Sequence, residues 1–319
     1  MKKGINYDKM YKMRLKRKIT VTGILNVYKP KGITSHNVVS FVRKQLNMKR
    51  IGHTGTLDPA ATGVLPVLLG NATKLSDLIM ADEKKYTARV VLGIVTDTDD
   101  TTGEVVEKRE VSVTEEQLLD VVNNFVGEIE QIPPMYSAIK VEGQKLYQLA
   151  RKGVEIERKP RKITVYNINV YDFDGTSFMM DVHCGKGTYI RSLCRDIGEA
   201  LGCGATMDTL ERTMSGIFTK ENAYTFEQIE QAVKNGIVNE MIMHPETVLG
   251  DFVKIDVNEE NKAKIRNGIR LRPAQLSINE YCENQIFRIY ASGELMCLLK
   301  VKNCDGQMLM AIEKSFYQE

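Results

Sequence analysis

The chain has 319 residues, of which 43% are hydrophobic and 27% are charged, and its formal net charge is +3. This length accommodates one large hydrophobic core and a smaller second one, and the composition is that of a globular protein. The longest apolar runs, such as residues 64–69, are too short to span a bilayer, and no apolar signal segment follows the charged N-terminus. Six cysteines without a C-x-x-C pair indicate reduced thiols, so we expect a cytoplasmic protein with no membrane partner.

Positive charge is concentrated in two segments of the chain. Residues 1–18 carry eight lysines and arginines against one acid, and residues 145–162 carry seven against two. Such segments suit a polyanion and favour a local nucleic-acid-binding surface. For the first segment, which we treat as a basic tail over residues 1–20, a disordered tail that only aids solubility is an equally good explanation.

The first elements of the chain are predicted from turn and capping signals. Residues 23–28 have the composition of a short strand, which ends at the turn that contains Lys29 and Pro30. Thr34 or Ser35 can cap the helix that follows. A short helix around Leu78 comes after the next glycine-rich segment.

The clearest strand of the chain is predicted over residues 85–95. Its apolar residues recur at every second position, so they share one face: Tyr86, Ala88, Val90, Leu92 and Ile94. Thr114 and Gln117 then form a capping box for another helix.

The second part of the chain contains two proline-marked and glycine-marked breaks. Pro133 and Pro134 interrupt the chain before a predicted hairpin strand over residues 136–141 and a short basic helix. The pair Asp174-Gly175 separates two β-rich runs and predicts a hairpin.

Gly202 ends a helix predicted over residues 188–201. Its apolar stripe is formed by Ile190, Leu193, Ile197 and Leu201. Arg191 and Arg195 lie four residues apart on a different face, so they are available to a cleft.

The composition changes near residue 245. Beyond it, four short strands and one short helix are predicted, with a hairpin turn at Ser292-Gly293. We therefore predict an α+β fold with a largely antiparallel sheet over residues 21–247, and a small, mostly β domain over residues 248–319.

One segment, GHTGTLDPAATGVLP at residues 52–66, matches neither a core strand nor a core helix. Its single carboxylate, Asp58, precedes Pro59, which restricts Asp58 to an extended conformation. The glycines allow tight turns or a close approach of a partner. Taken alone, an aspartate that caps a turn is the more common use of such a residue.

The segment resembles the catalytic motif of the TruB-type family of tRNA pseudouridine synthases, and the match extends over RIGHTGTLDPAATGVLPVLLGNATKL. Four further segments match in the family's order: GILNVYKPKGITSHNVV, KKYTARVVLGIVTDTDDTTG, PPMYSAIKVEGQKLYQLARKG and CGKGTYIRSLCRDIGEALG. Together they cover most of residues 23–215. The resemblance implies the pseudouridine synthase fold and, more weakly, a PUA-like RNA-binding domain at the C-terminus.

The resemblance also implies roles for single residues. Asp58 would be the catalytic aspartate, and Arg191 would pair with it. Because an ionised acid in a buried site is costly, we expect a bidentate arginine contact that offsets the desolvation. Tyr86 would stack on the target base.

Other residues of the matching segments would contribute to binding. His53 would fill the space that the flipped base leaves, and Tyr189 would line the same pocket. Lys29 belongs to a Lys-Pro segment near the site, and for Asp100 no chemical role is expected.

The reaction implied is the isomerisation of uridine-55 in the T-arm loop of tRNA. The C1′–N1 bond breaks, the uracil rotates, and C5 joins C1′, with the carboxylate acting as a nucleophile at C1′ or as a base at C2′. This chemistry requires no cofactor, and the scattered histidines have no metal-ligand spacing. We expect a tRNA-binding monomer without an obligatory protein partner.

Two other functions remain open from the sequence. A non-catalytic RNA-binding or RNA-folding protein would account for the basic segments, but it would not need a buried acid. The guide-RNA-dependent catalytic subunit that shares the motif is the second alternative, and it would require accessory partners.

Overall fold

The computed structural model describes residues 21–317 apart from residues 81, 82, 138, 142, 151, 152 and 155. The predicted basic tail, residues 1–20, lies outside the described residues. Among the helices described, none is both long enough and apolar enough to cross a membrane.

The elements that precede the C-terminal sheet mix strands and helices. The strands are β1 (Gly23–Lys29), β2 (Ile51–His53), β3 (Thr62–Leu69), β4 (Lys84–Leu92), β5 (Ile94–Thr96), β6 (Val105–Lys108), β7 (Gly127–Gln131), β8 (Lys140–Val141), β9 (Gln144–Lys145), β10 (Arg161–Tyr171), β11 (Ser177–Cys184), β12 (Ala205–Ser215), β13 (Phe218–Thr219) and β14 (Ile242–Met243). The helices are α1 (Ser35–Leu46), α2 (Ser76–Met80), α3 (Glu115–Asn123), α4 (Leu146–Ala150), α5 (Ile190–Ala200) and α6 (Phe226–Asn235). Short 3₁₀ turns are formed by Gly70–Leu75, Lys220–Asn222, Val238–Met241 and Pro245–Val248.

Most of these strands form one large sheet with the order β14-β1-β3-β12-β4-β11-β10-β7. The short strands β2 and β13 pair with β3 and β12. Neighbouring strands along this order run antiparallel, except that β3 and β12 are parallel. The prediction of an α+β fold with a largely antiparallel sheet is therefore confirmed.

Helices pack against the large sheet in two separate cores. The predicted alternation in β4 holds, since Ala88, Val90 and Leu92 are buried together with the apolar stripe of α5. Helices α1 and α6 pack against β1 and β3 in a second core. Each large aliphatic side chain buried in this way contributes about 1.5–3 kcal/mol to stability.

Two predicted strands differ from the observed ones. The strand predicted to continue to residue 95 ends at Leu92, because Gly93 adopts a φ of +79°. Ile94 therefore leaves the buried face and belongs to β5, which pairs with β6. The strand predicted over residues 136–141 is reduced to β8, since the carbonyl of Tyr136 bonds to Arg191 rather than to a neighbouring strand.

The pattern of the sequence does not predict β12, although this strand lies between β3 and β4. Two register shifts interrupt its pairing with β4, one between Met207 and Thr209 and one between Arg212 and Met214. Because each bulge adds an unpaired residue, the side chains of β12 do not keep a simple period of two.

The C-terminal part forms a four-stranded sheet, β15 (Val253–Asp256), β16 (Ile286–Ala291), β17 (Glu294–Cys304) and β18 (Gln307–Ser315), with helix α7 (Glu259–Arg266) and a 3₁₀ turn at Pro273–Leu276. Ser292 and Gly293 have φ values of +54° and +81° and form the predicted hairpin turn. This sheet has a core of its own, which confirms a small β-rich C-terminal region.

A further core joins the C-terminal sheet to the large one. Leu298 and Phe316 of the C-terminal region pack with Ile24, Leu75 and Phe218. The segment between β3 and β4 is also held by polar contacts, since Lys74 Nζ donates to the carbonyl of Ser315 at 2.6 Å. The C-terminal sheet therefore packs against β1, the segment between β3 and β4, and β13.

Candidate active site

A cavity of about 570 Å³ opens between the loop of residues 54–61 and the start of α5. Its size is in the range of small-ligand sites. The predicted site residues that line it are Asp58, Tyr86, Tyr189 and Arg191. Leu210 and Arg212 of β12 complete one wall.

Asp58 and Arg191 form an ion pair at this cavity. Arg191 Nε lies 2.9 Å from Asp58 Oδ2, with the arginine side chain 5% exposed and the aspartate side chain 35% exposed. The expected bidentate contact is not formed. Nη1 and Nη2 of Arg191 instead donate to the carbonyls of Thr98 and Tyr136 at 3.1 and 2.7 Å. Each nitrogen of the guanidinium thus has its own acceptor, and the carboxylate keeps one oxygen for other chemistry.

The environment of Asp58 acts on its pKa in two directions. Burial raises the pKa of Asp58 above its ordinary value, and the nearby carboxylate of Asp100 adds to this. The charges of Arg191 and Lys29 lower it. A carboxylate whose pKa is shifted by burial and by a specific charged partner in a cleft is typical of functional sites.

The side chains of Ser35, Lys29 and Arg212 form hydrogen bonds with the backbone of the loop that carries Asp58. Ser35 Oγ accepts a bond from the Leu57 N–H at 2.9 Å and donates to the Leu57 carbonyl at 3.1 Å. Lys29 Nζ donates to the carbonyls of Pro59 and Ala61 at 3.2 and 2.6 Å. Arg212 of β12 donates to the carbonyl of Gly55 at 3.1 Å. Together these bonds fix the direction of a short loop without regular structure.

Lys29 is fully buried behind this loop and is not among the residues that line the cavity. Burial lowers its pKa to about 8, while the charge of Asp58 acts in the opposite direction. The sequence predicted Lys29 as a substrate-binding residue. In the structure, its side chain instead contacts the backbone of the loop that carries Asp58.

Tyr86 projects from β4 into the cavity, next to the apolar residues with which it shares a face. Arg212 lies opposite Tyr86 on the neighbouring strand β12. Burial raises the pKa of Tyr86, and the charge of Arg212 opposes this. The ring of Tyr86 thus presents an aromatic surface to the cavity.

Tyr189 immediately precedes α5 and lines the cavity. The side chain of Gln131 bonds to both its N–H and its carbonyl, at 2.8 and 3.1 Å. Burial raises the pKa of the Tyr189 hydroxyl. The predicted pocket position of Tyr189 is therefore where the structure places it.

His53 lies in β2 and is not among the residues that line the cavity. Its Nδ1 atom is buried, and it has no hydrogen-bond partner among the described residues. Burial lowers the pKa of His53, and the charge of Arg212 adds to this. Both influences favour the neutral imidazole, which does not repel the arginine.

Arg212 is the site residue that sequence reasoning missed. It is 1% exposed, and its Nε and Nη2 donate to the carbonyls of Val64 and Gly55 at 2.8 and 3.1 Å. Since Arg212 also lies opposite Tyr86 in the pairing of β12 with β4, it connects β3, β4 and the loop of Asp58. A single arginine in the run ATMDTLERTMS has no local signal that would distinguish it from a surface residue.

The second basic segment has two different uses. Arg158 donates to the carbonyl of Pro133 at 3.1 Å, which is a structural contact. Arg161 and Lys162 of β10 are exposed, and so is Lys186, which lies between two glycines at the cavity.

Among the described residues, no group of three histidine, cysteine or acidic side chains converges as metal ligands.

Comparison with known proteins identifies the family of this chain. Residues 43–190 match the model of the TruB family pseudouridylate synthase N-terminal domain, and residues 191–249 match that of the tRNA pseudouridylate synthase B C-terminal domain. A Clostridium perfringens protein named tRNA pseudouridine synthase B is 47% identical over 272 residues, which cover 85% of this chain and 91% of that protein. Its namesake from Alkaliphilus oremlandii is 49% identical over 251 residues, 79% of this chain and 83% of that protein.

A solved structure gives the same fold. The crystal structure of a Cbf5-Nop10-Gar1 complex contains a chain with a TM-score of 0.71 and 28% identity, covering 96% of this chain and 87% of that one. With two family models over consecutive segments and relatives of this identity over most of both chains, the protein belongs to the TruB family of pseudouridylate synthases.

Proposed function

We propose that the protein converts the uridine at position 55, in the T-arm loop of tRNA, to pseudouridine. The observation that carries the proposal is the Asp58–Arg191 ion pair of 2.9 Å in a cavity that Tyr86 also lines. The protein is an isomerase of the TruB family, and its relatives named tRNA pseudouridine synthase B support tRNA as the substrate.

Asp58 is the catalytic group of this proposal. Its ionised carboxylate attacks C1′ or removes the C2′ proton, and the C1′–N1 bond breaks with its electron pair on the uracil. After the base rotates, C5 bonds to C1′ as the ester bond between C1′ and Asp58 breaks, or, if Asp58 took the C2′ proton, as that proton returns to C2′. The proton that C5 then loses is balanced by the one that N1 gains. The free oxygen of Asp58 is available for the first step because Arg191 contacts the other one.

The uridine reaches Asp58 by leaving its stack in the RNA loop. Extrusion of a base costs a few kcal/mol, and stacking on an aromatic ring returns about 1–3 kcal/mol per base. Tyr86 supplies this ring and Tyr189 borders the same cavity. His53, outside the cavity, is assigned to the space that the base leaves.

The remaining contacts in this proposal are made with the RNA backbone. The exposed side chains of Arg161, Lys162 and Lys186 bind phosphates, and they raise the affinity for RNA without distinguishing its base sequence.

Residues 248–319 are proposed as a PUA-like RNA-binding domain. The protein acts as a monomer in the cytoplasm, and bare tRNA is a sufficient substrate.

The test is a pseudouridine map of tRNA after incubation with the purified protein. We expect one new pseudouridine at position 55 with the wild-type protein and none with Asp58→Asn. Asp172→Asn, at an exposed position in the turn between β10 and β11, serves as the matched control and retains full activity.

Three results would contradict the proposal. The first is a wild-type protein that forms no pseudouridine, which would favour a protein that only binds or folds RNA. The second is full activity in Asp58→Asn. The third is modification at another position, which would retain the enzyme class and refute the assigned uridine.

A further inference from the structure

A second arginine of α5 lies one helical turn after Arg191 and faces the same segments of the chain. Arg195 Nη1 lies 2.9 Å from Oδ2 of Asp99, and these side chains are 22% and 13% exposed. Arg195 also donates to the side chain of Asp196 at 2.8 Å and to the carbonyl of Ile132 at 3.2 Å. The guanidinium therefore bridges the turn of Asp99 and the loop of Ile132.

Asp99 lies in the turn that holds Arg191. It adopts a φ of +60°, which is uncommon for a residue other than glycine. The residue before it, Thr98, supplies the carbonyl that accepts from Arg191 Nη1, and the residue after it, Asp100, has Oδ2 3.9 Å from Arg191 Nε. A shift of Asp99 would therefore move both groups that contact Arg191 from this side.

The other loop has an equivalent arrangement. The carbonyl of Ile132 accepts from Arg195 and also from Ser192 Oγ at 2.9 Å. Four residues later, the carbonyl of Tyr136 accepts from Arg191 Nη2. Arg195 thus contacts, one turn along the helix, the same two loops that supply the carbonyl acceptors of Arg191.

We propose that Asp99 and Arg195 are positioning residues, whose ion pair holds the two loops that orient Arg191 toward Asp58. This inference rests on the proposed function, because its consequence is the placement of a catalytic carboxylate. Neither residue is among those that line the cavity, so neither contacts the uridine. An ordinary exposed ion pair contributes little, whereas displacement of a reacting group by about 1 Å can slow a reaction by roughly 100-fold.

Asp99→Asn is the decisive variant. Asparagine tolerates the left-handed conformation as aspartate does, so the change removes the charge and leaves the turn. We expect the single-turnover rate of pseudouridine formation, at saturating enzyme, to fall about tenfold, with RNA affinity within about twofold of the wild type. Asp172→Asn is the matched control, since Asp172 has a φ of +52° in the exposed turn between β10 and β11 and does not line the cavity, and it leaves both quantities unchanged.

Two further variants separate positioning from a general loss of structure. In the Arg191→Lys background, the turn of Asp99 no longer positions the guanidinium of Arg191. The additional change Asp99→Asn therefore causes no further fall in the single-turnover rate. Arg195→Lys retains a cation opposite Asp99 and loses less activity than Arg195→Gln. If Asp99→Asn lowers the melting temperature so far that it cannot be assayed, the Arg195 pair of variants decides.

Specific results would overturn the inference. An unchanged rate in Asp99→Asn, or equal slowing in the wild-type and Arg191→Lys backgrounds, would exclude positioning through Arg191. Weaker RNA binding at an unchanged rate would also exclude it. A wild-type protein without activity would refute the proposed function instead, so the two failures are distinguishable.

Discussion

Arg212 of β12 donates one hydrogen bond to the carbonyl of Gly55 at 3.1 Å and another to the carbonyl of Val64 at 2.8 Å. These two carbonyls flank the loop that carries Asp58. Strand β12 therefore binds the loop at both ends, although it follows the loop by about 140 residues in the sequence.

Replacement of Arg212 should destabilise the protein and slow the reaction. Arg212→Met leaves two carbonyls without their donor, and a buried unsatisfied group costs about 1–3 kcal/mol. We expect the free energy of unfolding to fall by roughly 2–5 kcal/mol in a urea titration. Single-turnover rates should fall as well, because the loop and Tyr86 lose a common support. Arg212→Lys restores one donor and should recover part of the stability; equal losses in both variants would contradict the assigned bonds.

Gly63 is predicted to tolerate no side chain. Its φ is +106°, and an added Cβ would collide with the backbone of Arg212. Gly306→Ala is the matched control, since Gly306 has a φ of +82° and no atom within 4 Å of the added carbon. We expect Gly306→Ala to cost about 1–2 kcal/mol from the backbone alone, and Gly63→Ala to cost clearly more. Equal shifts in melting temperature would show that the close approach of β12 is not rigid.

The rate should depend on pH through Asp58. Because burial raises its pKa above the ordinary value of 3.8, the ionised and reactive form is lost at a higher pH than for an exposed aspartate. Below that pKa the single-turnover rate should fall about tenfold per pH unit. The charged groups that act on Asp58 are Arg191 and Lys29, which lower its pKa, and Asp100, which raises it.

Removal of one of these charges should move the acidic limb of the profile. Arg191→Gln takes away a group that lowers the pKa of Asp58, so its limb should lie at a higher pH than that of the wild type. Arg89→Gln removes an arginine of β4 that pairs with Asp208, and its profile should match the wild type. A limb that stays in place in Arg191→Gln would show that another group titrates.

The core shared with the C-terminal sheet should stabilise the segment between β3 and β4. Leu298 and Leu299 are adjacent and both buried, but Leu298 packs against the large sheet while Leu299 packs within the C-terminal sheet. Truncation of either to alanine should cost about 2–5 kcal/mol. Hydrogen exchange at residues 70–80 should become faster in Leu298→Ala than in Leu299→Ala. The same protection in both variants would mean that the C-terminal sheet does not support this segment.

Several local features could be predicted from the sequence. The capping box of Thr114 and Gln117, the hairpin after Asp174 and the buried face of β4 all appear in the structure. Each depends on residues a few positions apart, which determine turn geometry and the side of a strand on which a residue lies. The strand that should have continued through Ile94 failed at Gly93, where a close approach to Arg109 favours a left-handed glycine.

The sequence by itself determined the chemical groups of the candidate site, because ordered motifs identified Asp58, Tyr86, Tyr189 and Arg191 as residues of one site. Tertiary structure alone decided how they meet: a contact through Nε of Arg191, with its other nitrogens on loop carbonyls. It also decided that Lys29 and Arg212 support the loop from behind. The physical reason is that β12 lies between β3 and β4, and this order depends on the packing of whole sheet faces rather than on any short stretch of residues.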